Sequence, residues 1–150
     1  MDRIDSKILS LLHENARISA AEIGRTIAMT QPAVTERIHK LEEKGIIAGY
    51  RAVLSPKKLG KDVTAFVQFK TSNCLDFQEF CSQSPDVIEL YRISGEYNFL
   101  MKITTASMES LTAFLDTCGP YGFSSTLIVL SEAIQNKSMI AEDGDYIQDT

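Results

Sequence analysis

The sequence predicts an α+β fold, with helices gathered before residue 45 and strands concentrated after residue 60. Two patterns carry this. Up to Gly45 the apolar residues recur at helical spacing, whereas Val63, Ala65, Val67 and Phe69 recur every second residue, as in a strand. The charge divides at the same place. Residues 1–60 hold ten Lys/Arg against seven Asp/Glu, a net of +3, and residues 61–150 hold five against thirteen, a net of −8. A basic head on an acidic body suits a nucleic-acid partner better than the overall charge of −5 suggests, because the local field matters more than the pI.

A chain of 150 residues, 44% of them hydrophobic, is long enough for two small packed units. It has no run of 18 apolar residues, so no membrane span is expected. The start MDRIDSK is charged where a signal peptide needs an apolar stretch, which implies a cytoplasmic protein. Cys74, Cys81 and Cys118 are odd in number and lie at no metal-ligand spacing; reduced thiols on helices, two of them in the core, are expected, with no cofactor.

In chain order, residues 2–14 form a first helix. Asp2 or Asp5 gives its acidic start, and Ile4, Ile8, Leu11 and Leu12 its apolar face. From Ser19 to Gly45 two short helices follow, joined at Ala28-Met29. Ser19 caps the first, with Glu22 completing a capping box. Thr30 caps the second, Pro32 sits in its first turn, Val34, Ile38 and Leu41 form its buried stripe, and Gly45 ends it. This is a helix-turn-helix pattern. With that stripe buried, Pro32, Thr35, Glu36, His39 and Lys40 point away from the core. Gln31 and Thr35 are sized to bond base edges. His39 and Lys40 reach further bases or the backbone, and Arg37, beside the stripe, reaches phosphates. Ile46 and Ile47 should be buried, and Tyr50–Leu54 alternates weakly as a strand, which suggests a winged variant. Ser55-Pro56-Lys57-Lys58 then breaks structure as a hinge. The DNA-binding part is thus assigned to residues 1–60.

Beyond the hinge, a strand is expected over residues 62–71 and a helix bearing Leu75, Phe77, Phe80 and Cys81 before Pro85. Strands over 87–93 and 98–104 flank a turn at Ser94–Tyr97. A helix capped by Ser107 and lined by Met108, Leu111, Phe114 and Leu115 stops at Cys118-Gly119-Pro120, and a last strand covers 124–134. The order β-α-β-β-α-β is the ferredoxin-like plan. It covers one sheet face with two helices. Phe66, Val67, Leu90, Ile128 and Leu130 place apolar residues on both faces, so the open one should meet a second copy. From Ala141 the acidic EDGDYIQDT should be frayed.

The run IDSKILSLLHENARISAAEIGRTIAMTQPAVTERIHKLEEKGIIAGYRAVLSPKKLG, followed by ISGEYNFLMKI in the second half, resembles the Lrp/AsnC (feast/famine) transcriptional regulators over residues 2–138. That resemblance implies a winged helix-turn-helix on double-stranded DNA, with a recognition helix at residues 30–44 that includes Thr30. It implies a ferredoxin-like effector and oligomerisation domain over 61–150, homodimers through its sheet, and assembly to tetramers or octamers. It also implies control by a small amino acid or related metabolite, bound at the turn Ser94, Gly95, Glu96, Tyr97, Asn98 between dimers. Gly95 leaves backbone N–H groups open to a carboxylate. The family usually has Asp where this chain has Asn98, which offers an ammonium one neutral amide oxygen. Some proteins resembling the family are tetrapyrrole decarboxylases. Against an enzyme here, the chain has only His13 and His39, with no metal cluster, phosphate loop or nucleophile elbow.

Overall fold

A computed structural model describes residues 1–140; the expected fraying from Ala141 falls outside the described residues. The chain divides into two compact units, 1–53 together with the segment from 134 on, and 54–133.

The first unit is built on three helices, α1 (Arg3–Glu14), α2 (Ala20–Ile27) and α3 (Gln31–Glu43). Two of their starts are fixed by capping boxes. Asp2 accepts from the N–H groups of Ile4 and Asp5 while Asp5 accepts from that of Asp2, and Ser19 and Glu22 repeat the device on α2. Ile8, Leu12, Ile23, Val34 and Leu41 make the buried core, with Leu11, Ile38 and Ile47 packed against it. Gly45, at φ +68, ends α3 in the left-handed conformation, and the N–H groups of Ile46 and Ile47 turn back to the Leu41 carbonyl.

Several local expectations are corrected here. Thr30 occupies the N-cap position of α3, but its side chain makes no cap hydrogen bond. Ile46 is exposed rather than buried. No strand forms at Tyr50–Leu54, and Val53 is 80% exposed: an isolated extended segment has no ladder partner among the described residues, so weak alternation alone gives no wing. What holds the segment is Tyr50, whose hydroxyl donates to Glu42 at 2.9 Å; burial and then that carboxylate push the phenol up to about 12. The hinge is also more ordered than the Pro-Lys-Lys composition suggests, forming a single 3₁₀ turn at Lys57–Leu59 that Gly60 closes at φ +73.

The second unit carries β1 (Val63–Lys70), α4 (Cys74–Gln83), β2 (Val87–Arg92), β3 (Phe99–Thr105), α5 (Met108–Cys118) and β4 (Phe123–Ile128). The sheet order is β2-β3-β1-β4 with every neighbour antiparallel, the expected ferredoxin-like arrangement. Register explains the core. Ala65, Val67 and Phe69 lie opposite Ile103, Met101 and Phe99, and all six are buried on one face. Phe77 of α4 stacks on Phe69 with ring centroids 4.1 Å apart, and Leu111, Phe114 and Cys118 of α5 complete the layer. The thiols of Cys81 and Cys118 are both buried, and desolvation pushes them up to about 12 and about 11.

On the opposite face stand Phe66, Leu100, Tyr91 and Leu127, interleaved with Gln68, Lys102 and Glu89. Val67 and Leu90 belong to the helix-covered side, and Ile128 pairs with Ala65 at that side's edge. Leu75 points outward from α4, and Met108 from α5. Regular pairing of β4 stops at Ile128, opposite Ala65 and six residues short of the expected end. Only Val129 adds a bond, donating to the Thr64 carbonyl, and Leu130 is 94% exposed.

Candidate nucleic-acid interface and sensing turn

The geometry of the first site is set by the turn between α2 and α3. Ala28 ends α2 in the left-handed conformation, at φ 58, and the Met29 N–H closes the turn on the Gly24 carbonyl at 2.8 Å. Gly24 permits this approach. A Cβ there would lie 2.5 Å from the Met29 carbonyl oxygen, closer than real contacts come. The sequence reading does not single it out, although a glycine inside a helical pattern is itself a signal of close packing.

That turn presents α3 with Thr30, Gln31, Pro32, Thr35, Glu36, His39 and Lys40 all exposed on one face. Thr35 donates to the Gln31 carbonyl at 3.0 Å, leaving its hydroxyl oxygen free to accept. Lys40 lies 3.2 Å from Glu36, and His39 Nδ1 3.5 Å from Glu43, one turn along the helix in each case. Both are exposed pairs that a competing anion opens at little cost.

Arg37 differs from its neighbours. Its Nη1 sits 2.7 Å from Asp2 and 2.7 Å from Asp5, so the guanidinium faces the start of α1 rather than solvent. The two hydrogen bonds, Asp2 first, hold its pKa above the ordinary arginine value. Asp2 is held below the usual carboxylate range by the Asp5 N–H and by Arg37. The pairing ties α3 to α1 and orients the exposed face. Sequence spacing puts Arg37 beside the stripe but does not say which side it turns to.

The second site is the β2–β3 connection. Gly95 has φ +113, and a Cβ there would meet open space. Ser94 and Glu96 are exposed, and Tyr97 is half-buried. Among the described residues, the N–H groups of Ser94, Gly95, Glu96 and Tyr97 donate to no protein acceptor. Asn98 is engaged elsewhere. Its Oδ1 accepts from the Thr71 N–H at 3.0 Å, and its Nδ2 donates to the Thr71 carbonyl at 2.8 Å. Its backbone N–H donates to Phe69 and its carbonyl accepts from Ile93. The amide oxygen expected to meet a ligand's ammonium therefore has one lone pair already committed. Asn98 clamps the end of β1 to the start of β3.

Comparison with known proteins fits both units. The AsnC-type helix-turn-helix domain matches residues 1–42, and the Lrp/AsnC ligand binding domain matches residues 64–139. The chain belongs to the Lrp/AsnC family. Among its relatives, the HTH-type transcriptional regulator LrpC of Bacillus subtilis is 35% identical across 88% of this chain and 93% of its own. YezC of the same organism, described as an uncharacterized HTH-type transcriptional regulator, is 40% identical across 89% and 96%. The solved structure of B. subtilis LrpC superposes with a TM-score of 0.85 at 34% identity, over 91% of this chain and 99% of that one. A Neisseria meningitidis regulator solved as an L-Met complex superposes at 0.84 with 26% identity, over 90% and 93%. Lrp/AsnC membership makes the chain a transcriptional regulator and not an enzyme. Among the described residues, no group of three or more His, Cys, Asp or Glu could hold a metal ion. No helix among them is long and apolar enough to cross a membrane.

Proposed function

We propose that this Lrp/AsnC chain is a sequence-specific regulator that reads duplex DNA with α3 and adjusts its binding to a small amino acid or related metabolite. The observation that carries the reading is the single exposed face of Thr30, Gln31, Pro32, Thr35, Glu36, His39 and Lys40, which begins at the N-terminus of the second helix of the motif. Side chains there meet base edges in the major groove. Gln31 and Thr35 are the base readers, and Lys40 and His39 hold phosphates once their helix-borne carboxylates are displaced. Arg37 contributes by orienting α3 through Asp2 and Asp5; a direct phosphate contact requires it to leave them.

The division of labour follows the chain: residues 1–60 bind DNA and contain the hinge, and the effector and oligomerisation part begins at 61. The open sheet face supports a homodimer, since Phe66, Leu100, Tyr91 and Leu127 lie together on it. Tetramers or octamers then form from dimers, with the Ser94–Asn98 turn at their contact, in the cytoplasm. A ligand carboxylate is held by the free N–H groups around Gly95. Its ammonium is held by Glu96, because Asn98 is committed to Thr71. The L-Met complex of the Neisseria relative supports an amino-acid ligand.

Selection of bound duplexes from genomic fragments, at a fixed salt concentration near 0.1 M, tests the function. Enrichment of imperfect palindromes with half-sites about one helical turn apart is expected from a two-fold dimer. Binding that weakens with salt but selects no sequence would reduce the protein to a non-specific binder and overturn the reading.

A further inference from the structure

Across the sheet face turned away from the helices, register sets Glu89 of β2, Lys102 of β3, Phe66 of β1 and Leu127 of β4 in a single row. Lys102 Nζ lies 3.8 Å from Glu89 Oε1, beyond hydrogen-bond reach, and 5.9 Å from the centre of the Phe66 ring. Glu89 Oε2 accepts from the Tyr91 hydroxyl. Neighbours thus hold both groups in place, yet the ammonium has no second ion-pair partner among the described residues. The Lys102 side chain is 27% exposed and that of Glu89 41%, so the pair is open to a group from outside the chain.

These charges stand among Phe66, Leu100, Tyr91 and Leu127, and covering the face takes them out of water. A buried charge without a close partner is costly, so whatever covers the face must supply one. The row itself says what does. Two copies related by a two-fold axis lay the same patch on itself, and that patch must complement itself. One anion beside one cation, with no net charge, meets the condition: turned over, Glu89 faces Lys102. DNA or an acidic segment would satisfy the lysine and repel the glutamate. We propose that, in the homodimer read above, the Lys102 ammonium of each copy pairs with Glu89 of the partner subunit, and that this exchange decides which chains the face accepts. The inference rests on the homodimer reading and adds its selectivity. A related chain with like charges at the two positions is refused, because closure then buries a repelling pair.

Sedimentation velocity of the full-length protein at about 0.1 M salt reads the exchange. Glu89→Lys and Lys102→Glu should each raise the dimer dissociation constant about tenfold or more, since each buries two like-charged pairs. Glu89→Gln, which adds no repulsion inside the chain, should raise it by a smaller factor. An equimolar mixture of Glu89→Lys with Lys102→Glu should return to near the parental value. Native mass spectrometry, with one variant isotopically heavy, should count the mixed dimers. Mixing relieves repulsion between copies and leaves that within each chain untouched, which separates the proposal from a merely structural pair. Dissociation unchanged in all three variants, or weakening that the mixture does not reverse, would overturn the proposal while leaving the homodimer intact. A parent that stays monomeric at high micromolar concentration would overturn the homodimer reading itself, and the exchange with it.

Discussion

Gly24→Ala should loosen the N-terminal unit by about 1–3 kcal/mol, even though alanine is the better helix former by about 1 kcal/mol. The new methyl would lie 2.5 Å from the Met29 carbonyl oxygen, a backbone atom held in place because the Met29 N–H bonds back to Gly24. The turn must therefore open, and α3 must swing with it. Among the described residues, the first unit rests on five buried apolar side chains against eleven buried residues in the second, so it has the smaller margin. Denaturant unfolding should show the first transition moved to lower concentration and the second unmoved, with a matching loss of DNA affinity. A variant more stable than the parent would mean that the turn does not pack against Gly24.

Asn98→Asp should be nearly as costly, and its cost should depend on pH. A carboxylate at this position still accepts from the Thr71 N–H, but it has no hydrogen to give the Thr71 carbonyl, which sits 2.8 Å from the present Nδ2. Leaving that carbonyl unpaired against a negative oxygen costs about 1–3 kcal/mol. Once protonated, the introduced carboxyl can donate again, so the fold favours its acid form and raises its pKa above the unfolded value. The sign follows: the variant approaches parental stability below the unfolded carboxyl pKa of about 3.9 and loses ground as pH rises through the higher folded value. The quantity to follow is the variant's stability relative to the parent, measured from about pH 4 to pH 7. A deficit that is flat across that range would show that the side chain at this position does not clamp Thr71. If Asn98→Asp instead tightened amino-acid binding with no loss of stability, the ammonium would belong at this position and not at Glu96.

Most of the architecture is legible in the sequence because it rests on local chemistry. The Ser19–Glu22 capping box, the stop at Gly45, and the alternation of Ala65, Val67 and Phe69 each involve residues within a few positions of one another. Sequence reading fails where distant partners decide. Tyr50–Leu54 alternates like a strand, yet nothing among the described residues lies beside it to complete a ladder. The last strand is expected to run to Ile134, but β1 begins at Val63 and offers no partner beyond Leu130. Arg37 and Asn98 show the same limit at the sites. Both have the composition of ligand-facing residues, and both are drawn inward by groups far away in sequence, Asp2 and Asp5 for one and Thr71 for the other. Gly24 escapes notice for a related reason, since its neighbour across the turn is visible only once the turn is built.

The central claim is that the exposed face of α3 reads bases through Gln31 and Thr35. The most direct measurement is the affinity of Gln31→Ala and Thr35→Ala for the selected site and for a set of single-base-pair variants of it, at one salt concentration, beside the parent and Lys40→Ala. Each of the first two changes should erase discrimination at particular base pairs, worth about 1–3 kcal/mol, and leave the other positions alone. Lys40→Ala should instead weaken binding to every duplex about equally and flatten the salt dependence. If Gln31→Ala and Thr35→Ala both kept the parent's full base preference, α3 would not be the reading helix.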